Sequence, residues 1–303
     1  MISRKDKKFL ENLIKKSNNL ISKNTKKYPL LEKGFTNEDV MRGIEVLLSR
    51  KLTMSEITKK FEYTFSKFVG SKFALMVNSG SSANLLSAFA LINPKKKNRL
   101  KPGDKFIVPA ICWSTSLWPL VQCGLKPEFI DVNLDNYCLD ENLLRKSTKA
   151  KAIMNIHILG NSPNMEKLLN FVKSKNMYLI EDTCEALGSK YKNKFLGTFG
   201  DFGTYSFYYS HQITSGEGGM VVCKDKNDYQ ILKCLRSHGW SRNTKLHNFY
   251  KKKYKNLNKK FLFINSGYNL RPLDVTAAIA KNQYKRLNYF KKIRNFNRNL
   301  IIK

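Results

Sequence analysis

The sequence is poor in cysteine and lacks long apolar runs, and each of these absences excludes a class of protein. Six cysteines are scattered among 303 residues, and no C-x-x-C pair occurs. That spacing excludes a disulfide framework and suits neither a zinc site nor an iron–sulfur cluster. No apolar stretch approaches the roughly 18 residues that cross a bilayer. The first residues, MISRK, also lack the apolar core of a secretory signal, so we expect a cytoplasmic protein.

Acidic residues are scarce as well. The chain has 23 Asp and Glu against 55 Lys and Arg, which gives a formal net charge of +32 and suggests a polyanionic partner such as nucleic acid. The excess consists of 44 Lys and 11 Arg spread along the chain, whereas specific readout favours Arg. Nucleic acid is therefore disfavoured, and a non-catalytic polyanion-binding protein stays an alternative. The densest run, KKKYKNLNKK at 251–260, is either a solvated loop or a polyanion-binding patch.

What the sequence does contain is an alternation of short apolar strands with helical patterns. This alternation predicts an α/β fold with a mostly parallel central sheet and helices on both faces. Ligands of such sheets lie beyond the carboxyl ends of the strands. The predicted strands are 73–77, 105–109, 127–132, 152–158, 178–181, 204–207 and 219–223, and the main predicted helices are 36–48, 54–69, 85–91, 165–174 and 274–300.

Polar clusters follow several predicted strands. NSGSSAN (78–84) leads into a helix, and its small residues and free N–H groups suit a phosphate. IEDTCEA (180–186) supplies Asp182, which either holds a protonated pyridine nitrogen or caps a helix. VPAICWST (108–115) supplies Trp113, which either stacks on a flat ring or fills the core.

The last cluster, TYSFYYSHQITSGEGG (204–219), contains His211, one of four histidines. Here a strand ends in a hydroxyl-rich stretch, and a glycine-rich turn leads to the next strand. A lone histidine is usually structural, so this cluster by itself identifies no site. Taken together, the four clusters each follow a strand of the predicted strand–helix alternation, and they therefore indicate one site.

Their order and spacing resemble the DegT/StrS-type family of pyridoxal-phosphate (PLP) enzymes, which are sugar aminotransferases of fold type I. The resemblance covers about residues 34–283 and also rests on PEFIDV, IHILGNSPNM and SGYNLRPLDVTAAIAKNQ. Residues 1–35, rich in Lys and Asn, predict a helical arm, that is a helix followed by a loose arm. The resemblance implies a large PLP-binding α/β domain at 36–272. A linking helix and the start of a small C-terminal domain, most of it missing, are expected at 273–303.

One position departs from the aminotransferase pattern. Aminotransferases of this family have a Lys where this sequence has His211, and that Lys bonds covalently to PLP. An imidazole cannot form that bond, but it can move protons, with an unperturbed pKa of about 6.5. No Lys occurs between Lys194 and Lys224, so a sugar aminotransferase, the nearest alternative, would need a Lys from elsewhere in the chain.

In relatives of this family, the change from Lys to His at this position is typical of sugar 3-dehydratases, which remove the C3 hydroxyl of a nucleotide-linked 4-keto-6-deoxyhexose. One type carries a [2Fe–2S] cluster on cysteines that mostly follow the catalytic His. Only Cys223 and Cys234 lie between His211 and Gly267, and no cysteine follows them, so we expect no iron–sulfur cluster. The resemblance thus implies the cluster-free type, which acts on GDP-4-keto-6-deoxy-D-mannose in the synthesis of 3,6-dideoxysugars for O-antigen and lipopolysaccharide.

The resemblance also implies roles for individual residues and partners. His211 and His238 are the expected catalytic residues, His238 across a dimer interface. We expect PLP or pyridoxamine 5′-phosphate as cofactor, no metal, a nucleotide-sugar and L-glutamate as substrates, and a homodimer with shared active sites. The expected cofactor-binding residues are Gly80, Ser81 and Ser206 at the phosphate, Asn269 from a partner subunit, Trp113 on the ring, Asp182 at the ring nitrogen and Glu185 near the ring hydroxyl.

Overall fold

The computed structural model describes residues 3–17, 31, 34–146 and 149–302. The chain divides into two bodies. The sheet body consists of Glu62–Ser206 and Gly219–Arg271. The helical body consists of Met1–Phe61, Phe207–Gly218 and Pro272–Lys303. Residues 18–30 and 32–33, most of the predicted loose arm, lie outside the described residues.

A seven-stranded sheet forms the centre of the sheet body. In spatial order its strands are β1 Phe73–Val77, β9 Gly219–Cys223, β8 Phe202–Ser206, β5 Tyr178–Asp182, β4 Ala150–Ile156, β2 Lys105–Pro109 and β3 Lys126–Ile130. Strand β9 runs antiparallel to both of its neighbours, and the other neighbouring pairs are parallel. The predicted α/β class with a mostly parallel sheet is therefore confirmed. Two short strands, β6 Lys190–Tyr191 and β7 Lys194–Phe195, form a small separate hairpin.

Helices cover both faces of the sheet because successive strand residues point to opposite sides. In β2, Phe106 and Val108 pack in one core cluster with the helices at 80–91, 114–122 and 226–236, whereas Ile107 packs in another with the helix at 165–174. No helix in the described ranges is long and apolar enough to cross a membrane. The helices are α1 Arg4–Ser17, α2 Asn37–Ser49, α3 Glu56–Val69, α4 Gly80–Leu91, α5 Ser114–Gln122, α6 Met165–Ser174, α7 Lys226–Arg236, α8 Leu246–Lys253, α9 Asp274–Tyr284 and α10 Leu287–Ile302.

A buried carboxylate, Asp39, connects the helices of the helical body. It forms the predicted helix start with Thr36, since each residue's side chain accepts the backbone N–H of the other. Its carboxylate also accepts the amide of Asn282 at 2.8 Å, the amide of Gln283 at 2.9 Å and the guanidinium of Arg286. The cap of α2 thereby also anchors α9 and the turn after it.

The prediction of one helix over 274–300 is wrong, because the chain turns between α9 and α10. The N–H groups of Lys285 and Arg286 bond to the carbonyls of Asn282 and Gln283, which are three residues earlier and not four. Such tighter bonds end a regular α-helix. The ion pair between Arg286 and Asp39 lies at this turn, a long-range contact that helical periodicity does not reveal.

A second buried carboxylate, Asp274, connects α9 to the start of α3. It accepts the N–H of Ser55 at 3.0 Å, and it accepts both the N–H and the hydroxyl of Thr58, at 3.1 and 2.5 Å. The first N–H groups of a helix have no partner within the helix itself. Asp274 therefore caps α3 from a distant segment of the sequence.

A third buried carboxylate, Glu181, lies in β5 next to Asp182. Its oxygens accept the N–H groups of Phe199 and Gly200, both at 2.7 Å, and of Gly197 at 2.9 Å, and His157 Nε2 lies 3.0 Å away. Burial by itself raises the pKa of the Glu181 carboxyl. The hydrogen bond and charge of His157 and the backbone donors outweigh burial, so this pKa lies below its usual value of 4.5.

Replacing the carboxylate that caps α3 should destabilise the chain. We expect Asp274→Ala to lower the free energy of unfolding by about 2–4 kcal/mol, because it leaves buried donors unpaired. Urea denaturation followed by circular dichroism measures this loss. Glu56→Ala, which removes an exposed carboxylate from the first turn of the same helix, is the matched control and should have little effect. An equal loss in both variants would contradict the capping role.

Glu181 should make stability depend on acidity. Because its folded pKa is lowered, its contribution is fully present above the unfolded pKa and is lost as the pH falls through the folded one. We expect the wild-type melting temperature to fall below a pH of about 4.5, and Glu181→Gln to flatten this part of the profile. Glu166→Gln, at an exposed position on α6, is the control. A Glu181→Gln profile as steep as the wild-type profile would refute the assignment.

Candidate active site

Gly80 sits where the start of α4 meets the ends of two strands. Ser79 caps α4, because its hydroxyl accepts the N–H of Ser82 at 3.1 Å, and the helix therefore begins at Gly80 and not at 85 as predicted. A Cβ on Gly80 would lie 2.6 Å from Cβ of Ser206 and 2.9 Å from Sγ of Cys184. Only glycine allows the helix N-terminus to approach the end of β8 and the turn after β5 this closely.

The first turn of α4 has the features of an anion site. Unpaired N–H groups and the helix dipole attract negative charge at a helix N-terminus. Ser81 adds an exposed hydroxyl that donates to Thr115 Oγ1 at 3.1 Å, which ties this turn to the start of α5. Ser206 adds a further hydroxyl beside Gly80. The helix N-terminus at Gly80, with the hydroxyls of Ser81 and Ser206 close to it, is called the phosphate cradle below, because these donors fit a phosphate group.

Asp182 lies at the carboxyl end of β5 and is 5% exposed. Its Oδ2 atom accepts the amide of Asn84 and the hydroxyl of Ser116, both at 2.7 Å. Its Oδ1 atom accepts the N–H of Cys184 at 3.1 Å. Since the residues after Asp182 form a turn and no helix, the helix-cap alternative is excluded. The carboxylate is fixed at the edge of the sheet where the phosphate cradle lies.

Two of the side chains that bind Asp182, Asn84 and Ser116, have no role predicted from the sequence motifs. Asn84 is the last residue of NSGSSAN, its carbonyl oxygen accepts the hydroxyl of Thr204 at 2.6 Å, and its amide nitrogen donates to the carbonyl of Thr115 at 3.1 Å. Ser116 follows directly after the quoted CWST. Both residues lay within or beside the motifs, but the motif pattern alone does not show which polar side chains meet.

Trp113 and Glu185 lie beside this group. Trp113 directly precedes α5 and is 72% exposed, so the alternative that it fills the core is wrong. Glu185 is also exposed, and its carboxylate accepts the N–H of Leu159 at 2.9 Å. Gly80, Ser81, Trp113, Asp182, Glu185 and Ser206 therefore belong to one edge of the sheet body.

Thiol chemistry is disfavoured at this edge. Burial, with a smaller effect of Asp182, raises the pKa of the Cys112 thiol, and the same causes raise that of Cys184 far above its usual value. A protonated thiol is a poor nucleophile and a poor metal ligand. In the ranges that the structure describes, no three His, Cys, Asp or Glu side chains are placed to hold a metal ion.

His238 and Asn269 are exposed and lie close to Arg271, which is half-buried. The guanidinium of Arg271 donates to Asn269 Oδ1 at 2.9 Å, and another of its nitrogens lies 3.5 Å from Nε2 of His238. The backbone of His238 is left-handed, with φ of 61°. In the described part of the chain, none of the hydrogen bonds of His238 or Asn269 reaches Asp182.

His211 belongs to the helical body, in the loop Phe207–Gly218 that follows β8. The ends of this loop are joined by the N–H of Phe207, which donates to the carbonyl of Gly218 at 2.8 Å. His211 donates its N–H to the carbonyl of Tyr208 at 3.1 Å, and the two rings meet edge to face with centroids 5.9 Å apart. Of the other histidines, His157 is fully buried, and His247 lies 3.0 Å from the hydroxyl of Ser241.

The model of the DegT/DnrJ/EryC1/StrS aminotransferase family matches residues 35–303. The chain is 40% identical over 274 residues to a protein of Escherichia coli O55:H7 named GDP-4-keto-6-deoxy-D-mannose 3-dehydratase, and the match covers 89% of this chain and 70% of that protein. A protein of the same name from Yersinia pseudotuberculosis is 36% identical with the same coverage.

A solved structure shows the same fold. The E. coli GDP-4-keto-6-deoxy-D-mannose-3-dehydratase with bound hydrated PLP matches with a TM-score of 0.84 and 39% identity, over 90% of this chain and 71% of that one. The mostly parallel sheet is thus that of a PLP fold type I enzyme. Since the family model spans most of the sequence and these relatives are closely similar, the chain belongs to the DegT/DnrJ/EryC1/StrS aminotransferase family.

Proposed function

We propose that the chain is a PLP- and pyridoxamine-phosphate-dependent 3-dehydratase of a nucleotide-linked 4-keto-6-deoxyhexose, with GDP-4-keto-6-deoxy-D-mannose as substrate. The observation that carries this proposal is His211, together with the absence of Lys from the sequence between Lys194 and Lys224. Aminotransferases need a covalent Lys at that position, and a dehydratase does not. The two relatives named for this reaction support the choice of substrate. A role of this chain in 3,6-dideoxysugar and O-antigen synthesis is part of the proposal.

The edge of the sheet body fits a phosphorylated pyridine cofactor. When bound, this cofactor supplies an electron sink, since its protonated ring accepts the electron pair of a C–H bond that breaks beside it. The buried carboxylate of Asp182 would hold the ring nitrogen protonated. The remaining proposed contacts are Gly80, Ser81 and Ser206 to the phosphate, Trp113 to the ring face and Glu185 near the ring hydroxyl.

His211 would act as the acid–base residue. An imidazole can take the proton from the C4′ carbon of the cofactor and, once protonated, give a proton to the departing C3 hydroxyl of the sugar. The edge-to-face contact with Tyr208 restricts the orientation of this ring. Without a covalent bond to a Lys, the contacts at the phosphate and the ring must retain the cofactor.

Other parts of the proposal rest on the family resemblance. We expect His238 to serve the active site of a second copy of the chain and Asn269 to contact the cofactor phosphate there. The exposure of both side chains supports such roles. The homodimer with shared sites, the cytoplasmic location and the domain boundaries at 36 and 273 belong to the same proposal.

The reaction balances with L-glutamate as the reductant. At C3 of the sugar a hydrogen atom replaces the hydroxyl group, so the molecule loses one oxygen atom, which is a two-electron reduction. Glutamate is oxidised to 2-oxoglutarate, whose keto oxygen comes from water, and the C3 hydroxyl leaves as water, so that no net water is consumed. The amino nitrogen leaves as ammonia, so nitrogen is absent from the sugar product.

Incubation of the chain with the cofactor, L-glutamate and GDP-4-keto-6-deoxy-D-mannose should give a nucleotide-sugar that has one oxygen atom fewer. Mass spectrometry of the products checks this. The CDP- and dTDP-linked 4-keto-6-deoxyhexoses, tested in parallel, show whether GDP is preferred. A product in which an amino group replaces the keto oxygen would favour the aminotransferase alternative and contradict the proposal.

His211→Asn should separate proton transfer from cofactor binding. We expect the rate of C3 deoxygenation to fall by at least about a hundredfold, the usual range for loss of a general acid–base residue. Binding of pyridoxamine 5′-phosphate, followed by equilibrium dialysis, should change little. His247→Asn is the control, because that ring contacts Ser241 in the sheet body. An active His211→Asn variant would refute the acid–base role.

A further inference from the structure

Two buried side chains from different helices converge on one oxygen of Asp182. Asn84 of α4 and Ser116 of α5 are 1% and 0% exposed, and both donate to Oδ2 at 2.7 Å. Hydrogen bonds to a charged acceptor are stronger than those between neutral groups. The cofactor site proposed above assigns no role to Asn84 or Ser116. Two buried donors on one carboxylate oxygen indicate that they act on the charge of Asp182.

The direction of the Asn84 amide is fixed by its other neighbours. Its nitrogen faces the carbonyl of Thr115, which can only accept a hydrogen bond, and its oxygen receives the hydroxyl of Thr204. The reversed amide would put its oxygen against that carbonyl and against the Asp182 carboxylate. Asn84 therefore presents N–H to Asp182, and Thr204 locks it in that orientation.

The donors around Asp182 are all neutral. Among the described residues they are an amide, a hydroxyl, the backbone N–H of Cys184 and the protonated thiol of Cys184. Neutral donors stabilise the anionic form of a buried carboxylate without cancelling its charge. The charge stays available to a cation at Oδ1, which accepts one backbone N–H, since a carboxylate offers about four acceptor positions and a thiol is only a weak donor. A protonated pyridine nitrogen is such a cation.

We propose that Asn84 and Ser116 are positioning residues that keep Asp182 anionic and so keep the pyridine nitrogen of the cofactor protonated. This inference rests on the proposed function, because it assigns further residues to the same cofactor site. With either donor removed, the Asp182 carboxylate becomes a stronger base, and the proton that it shares with the ring nitrogen moves toward the carboxylate. The ring then loses positive charge, and the pairing with Asp182 weakens.

The test uses the 303-residue chain with pyridoxamine 5′-phosphate that carries ¹⁵N in the ring. For Ser116→Ala and Asn84→Leu we expect the ¹⁵N resonance of the bound cofactor to move from the protonated toward the unprotonated position. We also expect equilibrium dialysis to show about tenfold or greater loss of affinity, because a hydrogen bond to a charged group is lost. Thr204→Val, which frees the Asn84 amide but leaves Asp182 untouched, should give a smaller shift in the same direction.

Two further variants are the negative and positive controls of the experiment. Ser87→Ala is the matched control, since Ser87 is also fully buried on α4 but donates to the carbonyl of Ala83. It should leave the ¹⁵N resonance unchanged, even where it lowers the melting temperature. Asp182→Asn removes the carboxylate and should give the resonance of the unprotonated ring.

The outcomes separate this inference from the proposed function. If wild type binds the cofactor and the ¹⁵N resonance stays at the protonated position in folded Ser116→Ala, Asn84→Leu and Thr204→Val, the positioning role is wrong and the cofactor site stands. If wild type does not bind pyridoxamine 5′-phosphate, the proposed function and the inference both fail. A misfolded Asn84→Leu leaves Ser116→Ala and the near-isosteric Thr204→Val to decide.

Discussion

The buried carboxylate of Asp182 is the constraint around which the sheet body is arranged. A carboxylate that is removed from water is costly unless donors surround it. Its donors come from α4, from α5 and from the turn directly after β5. The order of the strands brings these donors to Asp182, because α4 and α5 pack in the same core cluster over β5 and β8, the strands that carry Asp182 and Thr204. The phosphate cradle at Gly80 lies at the same edge. The strands and helices that form the core of the sheet body therefore also position the cofactor site that we propose.

The large positive charge of the chain does not define this site. In the part of the chain that the structure describes, the donors to Asp182 are neutral, and the phosphate cradle at α4 consists of a helix N-terminus and hydroxyls. The densest basic run, 251–260, is exposed throughout and begins in the last turn of α8, where positive charge is favourable to the helix. Exposure fits both the solvated loop and the polyanion-binding patch that the sequence allows, and a basic surface would raise the local concentration of an anionic nucleotide-sugar.

The local sequence pattern predicted most strands and helices. The features that it missed depend on contacts between residues far apart in the sequence. The strands at 73–77, 105–109 and 219–223 match β1, β2 and β9, because apolar runs bounded by turn residues depend on nearby sequence alone. The break between α9 and α10 was missed because Arg286 binds Asp39, 247 residues away. Asn84 and Ser116 were missed for the same reason, since they meet Asp182 across 98 and 66 residues. The motifs identified the edge of the sheet, and only the fold shows which side chains meet there.

The central claim is that His211 makes this chain a deoxygenating enzyme and not an aminotransferase. The fate of the glutamate nitrogen tests it most directly. With ¹⁵N-labelled L-glutamate and the 4-keto-6-deoxy nucleotide-sugar, the account predicts that the label appears in ammonia, in an amount equal to the 3-deoxy sugar formed. Label retained on the sugar, with its C3 hydroxyl intact, would contradict the account.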